Sequence, residues 1–137
     1  MIEIRDLVEN ARRDPSDTNI ETLWRAVFLL RAWYLIPAKP QEEESFPLVT
    51  LVGDEPWLMA FTNFRRLRDV ERQIGRGGDS KMLMLDPDAA LRQIIAVKQH
   101  IRGVIFNPNS DETFRCGVDE LVLYAKHFGI EPDVDHE

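Results

Sequence analysis

The sequence predicts a single α/β (α+β) domain, a mixed five- to six-stranded sheet packed by about five helices. Three observations predict it. Short branched and aromatic runs alternate with longer stretches of helical apolar spacing. Gly, Pro, Asn and Asp punctuate the boundaries between them. The length of 137 residues suits one domain, and no linker or internal repeat interrupts it.

The elements follow in order. Ile4, Leu7, Val8 and Ala11 fall at helical spacing, so a first helix is expected over residues 2–13. Asp14-Pro15-Ser16-Asp17 ends it, because proline disfavours helix in the residue before it. Thr18 and Glu21 then fit a capping box. Ile20, Leu23, Trp24, Val27, Phe28 and Leu30 give the second helix an apolar face broad enough to place it at the centre. Residues 33–37 read as a short strand, and residues 38–46 as a polar loop, expected to be mobile because Glu42, Glu43 and Glu44 repel one another.

Residues 47–52 and 57–61 read as a hairpin around Gly53-Asp54-Glu55-Pro56. Trp57, Met59 and Phe61 alternate with Leu58 and Ala60, so both faces are apolar and the strand is expected to be central. Thr62 reads as the N-cap of a third helix over residues 63–74, with Phe64, Leu67 and Val70 inward. The glycine-rich stretch 75–79 ends it, and a strand is expected over residues 81–85. Asp86 caps a fourth helix with Pro87 at its first position, running to about His100. Its inner stripe is Ala90, Leu91, Ile94, Ile95 and the stem of Lys98. A strand over residues 104–107 follows, and strand-helix-strand order suggests a crossover with parallel partners. Residues 114–116 pair back as a short strand. The last helix buries Val118, Leu121, Val122, Ala125 and Phe128 before Gly129. Residues 1–130 thus read as one domain, and residues 131–137 as a disordered acidic tail.

Composition narrows the function. A net charge of −7 repels phosphate backbones at long range, so nucleic acid is not expected as a partner. No apolar run is long enough to span a membrane, and the N-terminus lacks the basic and apolar segments of a signal peptide. The single cysteine, Cys116, suits a reducing compartment, so the expected location is cytoplasmic.

Several short pieces resemble the SseB N-terminal domain family, bacterial proteins named for enhanced serine sensitivity. They are Leu23-Trp24-Arg25-Ala26, Leu35-Ile36-Pro37, Pro47-Leu48-Val49-Thr50, Leu58-Met59-Ala60-Phe61-Thr62 and Gly103-Val104-Ile105-Phe106-Asn107-Pro108. The family tends to carry glycine after the Asn-Pro pair. Here Asn109 stands there, the non-glycine residue most tolerant of positive φ. The resemblance implies a bacterial cytoplasmic or secretion-associated protein without an established enzyme activity, and so a role in binding other proteins rather than in catalysis.

The chemistry-bearing residues agree with that expectation. His100, His127 and His136 share no metal-ligand spacing, so neither metal nor cofactor is expected. Cys116 precedes a helix, where a thiol is acidified, yet no histidine is placed beside it, and no catalytic residue is assigned. The expected partner-binding residues are Trp57 at a strand end, Thr62, and Asn107, Asn109, Ser110 and Asp111 on a polar turn. Arg65, Arg68 and Arg72, which share a helix face, complete the set as a dock for an acidic partner. The main reading is a protein-interaction module, as adaptor, regulator or immunity-type binder, with a homodimer through open sheet edges as a further expectation. The alternative is a small-ligand sensor or enzyme with a pocket near Trp57 and residues 107–112.

Overall fold

The computed structural model describes residues 3–38, 47–76 and 82–130. Five helices pack on a mixed six-stranded sheet, as expected. In chain order the elements are α1 (Ile4–Arg13), α2 (Asp17–Phe28), β1 (Trp33–Leu35), β2 (Val49–Val52), β3 (Glu55–Phe61) and α3 (Phe64–Gln73). β4 (Leu83–Leu85), α4 (Pro87–Ala96), β5 (Gly103–Phe106), β6 (Phe114–Gly117) and α5 (Val118–His127) follow. Expectations for the start of the first helix, the polar loop, much of the glycine-rich stretch, Lys81 and the acidic tail fall outside the described residues.

The strand order is β4-β1-β3-β5-β6, with β2 also paired to β3. β3 is central and pairs in parallel with β5, while its other edge carries β1 and then β2, both antiparallel. Leu35 faces Ala60 and Val49 faces Leu58, so the chain advances fourteen residues on one side for two on the other. β1 and β2 are therefore one strand line with an excursion in the middle. A bridge between Pro37 and Pro47 and the Leu48 N–H donating to Ile36 O at 2.7 Å close its base.

Several boundaries differ from the sequence expectation. Ser16, not Thr18, caps α2, its hydroxyl accepting the Asn19 N–H at 3.2 Å. Asn63, not Thr62, caps α3 by accepting the Arg66 N–H at 2.9 Å. In both places two capable residues lie close together, and tertiary pairing decides between them. The hairpin turn is only Gly53-Asp54, with Gly53 at φ +64°, because Glu55 and Pro56 already pair with Val52 and Leu51. α4 stops at Ala96, and a 3-10 turn at Lys98–His100 leaves Lys98 exposed. β4 and β5 run parallel but are not neighbours, since β1 and β3 lie between them. β1 is interior and not an edge, whereas β6 ends the sheet.

The faces of the sheet are covered unequally. On one face α1, α2, α4 and α5 enclose the larger core with Leu58, Ala60, Val104 and Phe106 of the sheet. Aromatic rings fill its middle. Trp33 meets Phe106 edge-on at 5.0 Å, and the Trp33 indole N–H donates to Val27 O at 2.8 Å, fixing the turn out of α2. On the other face, among the described residues, α3 sets Leu67 and Val70 against Ile36, Met59 and Phe61. Its buried stripe is Leu67, Val70 and Glu71, so Phe64 lies to one side and is 47% exposed rather than inward. Glu71 is tolerated in the stripe because Arg68 pairs with it, although its second carboxylate oxygen has no hydrogen-bond partner.

Candidate functional site

The turn that ends β5 is built by its own side chains. Asn107 is fully buried with φ +50°. Its N–H donates to Ala60 O at 2.9 Å, which carries the parallel ladder one step beyond the strand. Its Oδ1 accepts the Thr62 N–H at 3.1 Å, and its Nδ2 donates to the Thr62 hydroxyl at 3.1 Å. One amide thus clamps the ends of β3 and β5. Asparagine suits the place because it tolerates the left-handed region and carries both a donor and an acceptor. Asn109, the position where glycine was the alternative, also takes positive φ, at +64°.

The rest of the turn is equally committed. Ser110 Oγ donates to Asn107 O at 2.7 Å and accepts the Glu112 N–H at 3.1 Å. Thr113 Oγ1 donates to Phe106 O at 2.9 Å, and Asn109 Nδ2 donates to Gln73 Oε1 of α3 at 3.0 Å. Two arginines anchor it from outside. Arg12 of α1 donates to Asp111 O at 2.9 Å and Thr113 O at 2.6 Å. Arg66 of α3 donates through Nε to Glu112 Oε1 at 2.5 Å and reaches Asp111 at 3.3 Å, with Arg5 4.0 Å from the same carboxylate. The Arg66–Glu112 pair is largely shielded from water, which makes it stronger than a surface pair.

These contacts sort the expected site residues into three places. Thr62 and Asn107 form the buried clamp, and Asn109, Ser110 and Asp111 form the turn beside it. Arg65 and Arg72 lie exposed on the outer face of α3, where Arg72 pairs with Asp69; Arg68 is half-buried, its guanidinium 4.8 Å from the Phe64 ring. Trp57 lies apart from all of them. It is five residues before Thr62 on extended chain, about 17 Å at the rise of a strand. It is buried against Gly103, with the Arg115 guanidinium 4.9 Å over its ring. Trp57 and the turn therefore cannot share one small pocket. Sequence reasoning did not pair Arg66 with Glu112 or place Arg12 on the turn. Nothing local signals contacts between residues 46 and about 100 positions apart.

A groove of about 950 Å³ opens beside the turn. Its floor is Met59 and Ile105, which face each other across β3 and β5. Val70 of α3 and Ile74 just past its end line one side, residues 108–111 another, and β2 the third, where Leu51 is 68% exposed. Among the described residues, α3 is the one helix on this face of the sheet, and the groove lies beside it.

Among the described residues the cleft beside Cys116 has no histidine in its lining. Burial, with a smaller contribution from the Glu120 charge, pushes the thiol pKa far up, so Cys116 stays protonated. His127 pairs with Glu21 at 3.3 Å on the surface. Among the described residues no three His, Cys, Asp or Glu side chains converge as metal ligands. No helix among them is long and apolar enough to cross a membrane. The chain matches no family model and no curated sequence.

Proposed function

We propose that the protein is a non-enzymatic protein-interaction module that works in the cytoplasm, with the groove beside residues 107–113 as its binding surface. One observation carries this reading. The polar side chains of the turn are spent on holding its shape, while the groove next to it is floored by Met59 and the partly buried Ile105 and edged by the exposed Leu51 and Ile74. A rigid wall beside a groove with an exposed apolar rim suits recognition by shape and burial. The resemblance to the SseB N-terminal domain family points the same way and suggests an adaptor, regulator or secretion- or immunity-associated binder.

The test is co-purification from the native host. A stoichiometric partner is expected with the wild-type chain and is expected to be lost with Ile74→Asp or Leu51→Asp. Both residues are substantially exposed at the groove, so these variants should melt with the wild type. Absence of any partner at micromolar concentrations, or a metabolite that clearly raises the Tm, would replace this reading by the small-ligand one.

A further inference from the structure

A second cleft, of about 870 Å³, lies where the first turns of α1 and α3 meet the end of α2. We propose that this cleft, continued along the outer face of α3, docks an acidic peptide segment carrying one apolar anchor. The inference rests on the interaction-module reading but uses a different surface from the groove.

The apolar part of the cleft is Ile4, Ala26, Leu30 and Tyr34, with Phe64 at its rim. Phe64 is half exposed, and the Arg68 guanidinium covers its ring, forming a flat platform. Exposed aromatics paired with arginine are the side chains that concentrate binding energy at interfaces. A single leucine or phenylalanine of a partner fits beside them.

The rim is cationic in a chain whose net charge is −7. Arg5, Arg65 and Arg66 line the cleft, against Glu3 and Glu112. Arg66 is already neutralised by Glu112 and Asp111, and Arg68 by Glu71. Among the described residues the exchangeable cations are therefore Arg5, Arg65 and Arg72. Arg5 is 4.0 Å from Asp111 and Arg72 pairs with Asp69, both in solvent, where such pairs are readily traded for better ones. Arg65 and Arg72 are seven residues apart on one helix, about 10 Å along its axis. Carboxylates on alternate residues of an extended chain repeat at about 7 Å, so two or three reach both guanidiniums. The chain's overall negative charge opposes a long polyanion, which favours a short acidic peptide over nucleic acid.

The probe is a fluorescein-labelled synthetic peptide of alternating Asp and Glu with one central leucine, titrated with the full chain at low salt and followed by polarisation. Saturable binding is expected, weakened at least about 10-fold by Arg65→Glu with Arg72→Glu, and at least about 3-fold by Phe64→Ala. Arg65→Gln with Arg72→Gln gives an independent, smaller loss should the charge-reversed variant fold poorly. Leu51→Asp, on β2 and away from this cleft, is expected to leave peptide binding intact, which separates failure here from failure of the groove. No saturable binding overturns the proposal. Equal binding when the leucine is replaced by serine, or equal or tighter binding of single-stranded DNA, also overturns it. Binding seen only after deletion of residues 131–137 makes the chain's own acidic end the occupant, and the proposal fails.

Discussion

Asn107 offers the most direct test of how the turn is held. Replacing it by alanine removes the acceptor of the Thr62 N–H and the donor to the Thr62 hydroxyl, both in a buried place. The stranded N–H costs about 1–3 kcal/mol and the second bond about 1. Alanine at φ +50° adds about 1 kcal/mol that asparagine largely avoids. Asn107→Ala is therefore expected to cost about 3–5 kcal/mol, a large share of the roughly 5–15 kcal/mol of a typical domain. Asn107→Gly loses the same bonds but relaxes at positive φ, so it should be about 1 kcal/mol less damaging. Urea unfolding followed by tryptophan fluorescence reads both variants, with the m-value checking that the unfolded state is unchanged. An alanine variant within 1 kcal/mol of wild type would refute the clamp. A glycine variant no better than alanine would refute the conformational part of the argument.

Three more outcomes follow from named contacts. At Gly103 a methyl group would lie 2.2 Å from Cys116 O and 2.5 Å from the Trp57 ring, so Gly103→Ala must part β5 from β6. A loss of about 3 kcal/mol or more is expected in thermal unfolding, and a near-neutral variant would show the approach to be looser than described. Glu112→Gln should cost about 1–2 kcal/mol, between a surface and a buried pair, and the double variant with Arg66→Met should cost less than the sum; strict additivity would mean the two do not interact. Cys116 should be alkylated at pH 8 at least about 100-fold more slowly in the native chain than in urea. Because its folded pKa is raised, the stability linked to it is full below the unfolded thiol pKa and is lost as the pH rises through the folded one. Equal alkylation rates in the two states would contradict the burial.

What could be read from the chain was what is local. Asp86 and Pro87 mark the start of α4 because capping is settled within four residues, and Asp86 Oδ1 does accept the Ala89 N–H at 2.7 Å. The two apolar faces of β3 were legible from simple alternation, and that strand is indeed central. Contacts made at long range were not legible. Arg66 carries no sign that its partner is Glu112, and Thr62 resembles a helix cap until Asn107 is placed beside it. The inward position expected of Phe64 failed because a three-residue period drifts against a 3.6-residue turn, bringing Glu71 under the helix in its stead. Trp57 and the polar turn were both noticed, but only the strand's length shows that they stand at opposite ends of it.

The junction between β1 and β2 has a consequence for how this chain tolerates change. The residues on either side are pinned by the Pro37–Pro47 bridge and by hydrogen bonds to β3. Extra length inserted between those prolines is expected to leave this register in place and to add only about 0.6 kcal/mol of closure entropy for each doubling. That spot is a natural port for grafted epitopes, affinity tags or new chain ends.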